Sequence, residues 1–216
     1  MDKGEGERFM TNIFNMDNKF FTMMDTVGDL VMLNIAFIIC SLPIVTIGAS
    51  CTALYKVTLD IVKKEEGAVV LNFLSAFKTN FKKSTIVWSV LCIIIAILFV
   101  DFIIVESIKT SLGSIMTIGL YIIVFILIMG VSYLFPILAV FENNIKNSVK
   151  NSFLMAIGDF PLTLTIVFMN CLGAMLFFSG GKALAYVILA YLLIGFSGVA
   201  FINSTVLERV FKKYLI

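Results

Sequence analysis

"IVTIGASCTALYKVTLDIV", residues Ile44–Val62, decides the fold. The stretch is long enough to cross a bilayer, which needs about 20 mostly apolar residues. Yet it holds Lys56 and Asp60, and it follows directly on Pro43, which closes an earlier apolar stretch. Read as a surface loop, it leaves five spans and termini on opposite faces. Read as a crossing, it gives six spans and termini on one face.

Composition makes lipid the solvent for most of the chain. Sixty per cent of the 216 residues are hydrophobic and only 14% are charged, where a soluble domain carries about 25%. The basic residues then choose between the two topologies. With Ile44–Val62 as a loop, Lys and Arg divide eleven to five between the faces. With it as a crossing they divide thirteen to two, because only Lys109 and Lys182 fall on the second face and Lys56 lies inside the span. A basic excess belongs on the cytoplasmic side. The six-span reading is therefore adopted, with both termini cytoplasmic, in the cell membrane, and five spans as the alternative.

The expected fold is an all-α polytopic membrane bundle, one integral domain over 1–216. Its spans are residues 23–42, 44–62, 85–105, 115–140, 162–178 and 183–202. Pro43 disfavours helix at Leu42 and marks a tight corner at the outer face. Gly48, Ala49, Ser50 and Ala53 follow it as a small-residue face, suited to close packing or to a partner helix. Lys56, Asp60 and Lys64 fall at i, i+4 and i+8, so Asp60 can pair in either direction along the helix.

Three segments are amphipathic instead of uniformly apolar. Residues 68–83 carry Val69, Phe73, Phe77 and Phe81 on one stripe, with Lys78, Lys82 and Lys83 off it. This pattern suits a helix on the inner leaflet, its basic face towards anionic lipid. Residues 143–157 show a weaker stripe through Ile145, Val149 and Phe153, and residues 7–22 one through Phe9, Ile13 and Met16. Each stripe is equally compatible with packing against the bundle. "NFLSAF" (Asn72–Phe77) and "SFLMAI" (Ser152–Ile157) hint at a duplicated unit of surface helix plus span.

Three blocks carry a family resemblance: "GDLVMLNIAFIICSLPIVTIGASCTALY" (Gly28–Tyr55), "FLSAFKTNFKKST" (Phe73–Thr85) and "NSFLMAIGDFPLTL" (Asn151–Leu164). In their order along most of the chain they resemble the YesL-like family of small bacterial integral membrane proteins. "LPIVTIGA" with "TALY" is the most specific part. The family has no assigned activity, and the resemblance implies a setting beside carbohydrate uptake systems, with a sugar permease as a possible partner. It supplies no catalytic residues.

The residues themselves offer little chemistry. There is no histidine, which removes the commonest general base and zinc ligand together. GxxxxGK[ST], GxGxxG and HExxH are all missing from the sequence. Cys40, Cys51, Cys92 and Cys171 lie in or beside apolar stretches without CxxC spacing, as small reduced core residues do. "IGASC", ending at Cys51, has Gly48 where a lipoprotein box needs an aliphatic residue, and the first 25 residues lack the apolar core of a cleavable signal. No catalytic residue, metal, cofactor or nucleic-acid partner is expected. Asn34, Asp101, Asn170 and Asn203 are the polar residues inside apolar stretches. Asp101 is either a cation or proton site facing the bundle or an interfacial acid facing headgroup water. The chain reads as a non-catalytic accessory of carbohydrate uptake, or alternatively as a small transporter or channel.

Overall fold

The computed structural model describes residues 3–65, 67–108, 110–176 and 181–214, with side chains from residue 21 onward except 174 and 181–183. Among the described residues every regular element is helical. In chain order these are α1 (Lys3–Ser41), a 3-10 turn (Ile44–Thr46), α2 (Ile47–Val62), α3 (Val69–Ser107) and α4 (Ser111–Val140). They continue with α5 (Ile145–Gly158), α6 (Phe160–Leu176), α7 (Gly181–Ala190), a π turn (Tyr191–Gly195) and α8 (Phe196–Tyr214).

Among the described residues, five stretches are long and apolar enough to cross a membrane: Phe21–Ser41, Ile44–Val62, Val69–Ser107, Ser111–Val140 and Leu184–Tyr214. The bent pair Ile145–Gly158 and Phe160–Gly173 makes a sixth if taken as one span. The expected span at 162–178 thus belongs to a broken element. α5 and α6 meet at 105° around Asp159. Asp159 accepts hydrogen bonds from Lys213 Nζ and Tyr214 Oη, both at 3.0 Å, so the end of α8 is tied to the bend.

The amphipathic 68–83 segment is not a separate surface helix. It runs without a break into the 85–105 span as the single helix α3. No proline or glycine lies between Val69 and Ser107, so nothing in the chain stops the helix. Val69 and Phe73 are buried against α1 and α2, so the stripe begins as a packing face, and only Phe81 at its far end is exposed. The two halves of the suggested duplication differ for this reason: one amphipathic segment continues straight into its span, and the other turns through the bend. At the N-terminus, α1 is likewise one helix through residues 7–22 and 23–41. The stripe side chains at residues 7–20 lie outside the described residues.

α2 is the hub. It touches α1, α3, α4 and α8, and it contributes to all three apolar clusters. Ala53, Leu54 and Val57 pack with Leu30, Leu33 and Phe73. Leu59 packs with Tyr133, Ile137 and Leu207. Cys51 and Tyr55 lie against Val87, Leu91 and Phe135. In lipid, helix association gains little from the hydrophobic effect, so close packing and interhelical hydrogen bonds must hold such a hub.

The corner into α2 closes its own backbone. Thr46 Oγ1 donates to the Cys40 and Pro43 carbonyls at 2.6 and 2.7 Å, and the Ile44 carbonyl accepts Trp88 Nε1–H at 2.8 Å. Leu42, Ile44 and Val45 are exposed around it. At its other end α2 stops where Lys64 adopts a left-handed φ of 60°, and Lys63, Lys64 and Glu65 donate back to the Leu59, Ile61 and Asp60 carbonyls.

Candidate functional site

The polar residues of the bundle converge on α2 and its neighbours, and most of them bond to one another. Gly48 brings α2 against α3. A Cβ at Gly48 would lie 2.5 Å from Trp88 Cβ and 2.7 Å from the Ser84 carbonyl oxygen, so only hydrogen fits. One turn on, the Thr52 and Ser84 hydroxyls meet at 2.8 Å, both buried. Two turns further, Thr58 and Ser204 make the same bond to α8 at 2.8 Å. Gly48, Ala49, Ser50 and Ala53 are all buried within the chain. The small-residue face is therefore filled by the protein's own helices, and of the corner set only Pro43 is exposed.

Asn34 is fully buried on α1 and faces the π turn. A π turn shifts the helical hydrogen-bond register and frees carbonyls. Asn34 Nδ2 donates to the Tyr191 and Leu192 carbonyls, each at 2.9 Å, and its Oδ1 accepts Ser197 N–H at 3.1 Å. Ser197 Oγ donates to the Leu30 carbonyl at 2.7 Å. Every polar atom of the Asn34 side chain is thus engaged in joining α1 to α8.

Asn170 lies elsewhere, at one end of a cavity of about 570 Å³ between α2, α3, α4 and α6. Its Oδ1 accepts Asn203 Nδ2–H at 2.8 Å, and the same Asn203 amide approaches Tyr55 Oη at 3.5 Å. Asn203 is fully buried, and its Oδ1 has no hydrogen-bond partner. The remaining walls are the apolar faces of α3 and α4, from Trp88 to Phe102 and from Val124 to Phe135.

Asp101 is half-buried and does not line this cavity, so the polar set singled out in the sequence divides among three separate places. Lys78, Lys82 and Lys83 are exposed on α3, with Lys83 Nζ reaching the Asn143 carbonyl at 3.4 Å. Asp60 pairs with Lys56 at 2.9 Å, one of the two directions its spacing allowed. The four cysteines are free thiols, and among the described residues no group of three His, Cys, Asp or Glu could hold a metal ion.

Sequence reasoning missed Tyr55, Trp88 and the two hydroxyl pairs. Thr52 and Thr58 on the least apolar candidate span were the available signal: hydroxyls there look outward to another helix or back to their own carbonyls. Both occur, since Thr52 and Thr58 also bond the Gly48 and Leu54 carbonyls at 3.0 and 2.9 Å.

Residues 30–102, 73 of the 216, match a family described as "Protein of unknown function, DUF624". The matched region runs from the last third of α1 through the corner and α2 to near the end of α3. No curated protein and no solved structure matches the chain.

Proposed function

We propose that the chain is an integral protein of the cell membrane, with both termini cytoplasmic, that performs no reaction of its own and serves as an accessory of another membrane protein. The observation that carries this reading is how the interior polar groups are used. Asn34, Thr52, Ser84, Thr58 and Ser204 are engaged in holding helices together, and the unpartnered Ser50 and Ser148 hydroxyls and Asn203 Oδ1 are shut away from the surface, which favours recognition on the outer surface. The small-residue face is internal, so the exposed lysines of α3 and α5 on the basic side are the better docking surface.

The YesL-like resemblance of the corner and its flanking blocks suggests a carbohydrate uptake system as the setting, and a sugar permease subunit as the partner. The transporter reading needs a polar path through Asn34, Asp101 or Asn170. It is less well supported, because Asn34 is fully engaged, Asp101 lies off the cavity, and the cavity that reaches Asn170 has apolar walls.

Cross-linking in native membranes tests the accessory role. The expected catch is a permease subunit of a carbohydrate system, with sugar uptake reduced on deletion of the gene. Recovery as a lone species, with uptake unchanged on deletion, would overturn it. For placement, a cysteine introduced near Met1 should react with an impermeant thiol reagent only after the membrane is permeabilised.

A further inference from the structure

We infer that α1 and α2 form a hairpin that enters and leaves the membrane on the same face, its corner at Pro43–Gly48 resting among the acyl chains of the inner leaflet. The two arms are too short for a crossing. No charged residue lies between Asp29 and Lys56. That leaves Leu30–Ser41 on α1 and Ile47–Tyr55 on α2, about 18 and 14 Å at helical rise. A hydrocarbon core is about 30 Å thick. Below the arms both helices carry charge and border one cleft, where Asp25 and Asp29 of α1 meet Asp60 and the Lys64–Glu65 end of α2. The two feet of the hairpin therefore stand side by side at one level.

α3 measures how deep the corner reaches. Trp88 Nε1 donates to the Ile44 carbonyl, so the tip lies beside Trp88. Past this point α3 and α4 run on together, as the ring contact of Phe102 with Tyr121 at 5.3 Å shows. The next charges on α3 are Asp101 and Glu106, about 20 and 27 Å beyond Trp88. In the other direction Lys83 is only about 8 Å away. The tip is thus close to the basic side and far short of the opposite one. Lys56 then joins the other thirteen basic residues on the cytoplasmic side, against Lys109 and Lys182, which sharpens the asymmetry that sets orientation.

The corner is also built for a place without water. Backbone polar groups in hydrocarbon must be satisfied within the protein. Here the break between α1 and α2 frees carbonyls, and side chains take them up: Thr46 Oγ1 donates to Cys40 and Pro43, and the Trp88 indole to Ile44. At an aqueous outer face water would serve those carbonyls. It would also meet Leu42, Ile44 and Val45, which are 75%, 71% and 58% exposed. Acyl chains suit these side chains, and α3 at the same level exposes Ile86 and Val90 as well.

This inference rests on the membrane placement proposed above. The test places a nitroxide at Ile44→Cys in the full chain, with the four native cysteines replaced by alanine, in phosphatidylcholine–phosphatidylglycerol vesicles. Its collisions with oxygen, which concentrates in hydrocarbon, are compared with those of a water-soluble nickel chelate. Lys64→Cys and Leu112→Cys mark the two faces. At 64 and 112 the chelate should collide more often, and at 44 the order should reverse. A preference for the chelate at 44 would put the corner in water and overturn the hairpin. Protection from both would mean that protein covers the tip, and would overturn lipid as its partner. Trp88, the only tryptophan, gives a second reading on the unaltered protein and decides alone if a variant fails to fold. Lipids brominated at mid-chain should quench it more than lipids spin-labelled at the headgroup. The reverse order, or no quenching by either, would refute the depth. Termini found outside would overturn the placement and move the hairpin to the other leaflet without changing these depths, so the two proposals fail separately.

Discussion

α2 and the outer half of α3 both pass as membrane spans, yet they live in different surroundings. Half of the apolar window of α2 is buried inside the protein, against 11% for α3. The mean hydropathies run the other way, 1.3 for α2 and 2.9 for α3. A helix wrapped by other helices can carry Ser50, Thr52, Thr58, Lys56 and Asp60, because protein groups receive them. A helix that shows Ile93, Ile97, Phe99 and Ile103 to its surroundings has no such partners and must be apolar almost throughout. In α2 the low hydropathy goes with a central position, where a hydropathy scan alone suggests a doubtful span; α4 is half buried too at a mean hydropathy of 2.6, so a central helix need not be the less apolar one.

The sharpest way to break this contrast is through two helical glycines. Gly48→Leu forces a side chain into Trp88 and the α3 backbone. It should cost about 3 kcal/mol or prevent accumulation of folded protein. Gly119→Leu, on α4, meets nothing within 4 Å. It should leave the melting temperature unchanged or raise it slightly through better helix propensity. Thermal melting in mild detergent compares the two. The apolar windows of α2 and α4 are equally buried, so the contrast lies at the two glycines alone, and equal losses would remove the close α2–α3 approach at Gly48 as its cause.

A smaller effect is expected at Asn34. Asn34→Leu removes both donors to the Tyr191 and Leu192 carbonyls and the acceptor for Ser197 N–H. Interhelical hydrogen bonds of this kind average about 0.6 kcal/mol each in membranes, so losing the three should cost about 2 kcal/mol, and the loss should appear as easier local opening of the π turn in hydrogen exchange. Smaller again is the Thr58–Ser204 bond. A double-mutant cycle with Thr58→Val and Ser204→Ala should return a coupling of about 0.6 kcal/mol, the average for such bonds in membranes. The smallest effect belongs to the bare face: Ile97→Val should shift stability by less than about 0.5 kcal/mol.

The sequence made the all-helical architecture readable, along with the candidacy of Ile44–Val62 as a span, because both rest on composition, length and the distribution of bases. The bend between α5 and α6 was foreshadowed by the separate amphipathic pattern of 143–157 and by Pro161. The continuity of α3 was misread. Its pattern changes at Lys83–Thr85 from two-faced to uniformly apolar, and that change reports new surroundings for the same helix, not the start of another. The role of Asn34 was half legible. A buried amide in an apolar run demands partners, but those partners are main-chain carbonyls 157 and 158 residues away, which no side-chain pattern announces. Tyr55 was invisible for the opposite reason: in an apolar stretch an aromatic looks like filling, and only its meeting with Asn203 and Asn170 makes it polar furniture.

The corner at Pro43–Gly48 meets α3 at Ser84 and Trp88, only about halfway along its length. From Trp88 to Ser107, α3 runs on for about 28 Å, close to a full hydrocarbon thickness. One flank of the molecule is therefore tall and the other short. In the bilayer placement proposed above, one hydrocarbon slab cannot cover both heights, so the exposed tip formed by Leu42, Ile44 and Val45 would sit at a different depth from the far end of α3. The two ends of the bundle would then meet different layers of the membrane: the tip of the corner ends where the far half of α3 begins.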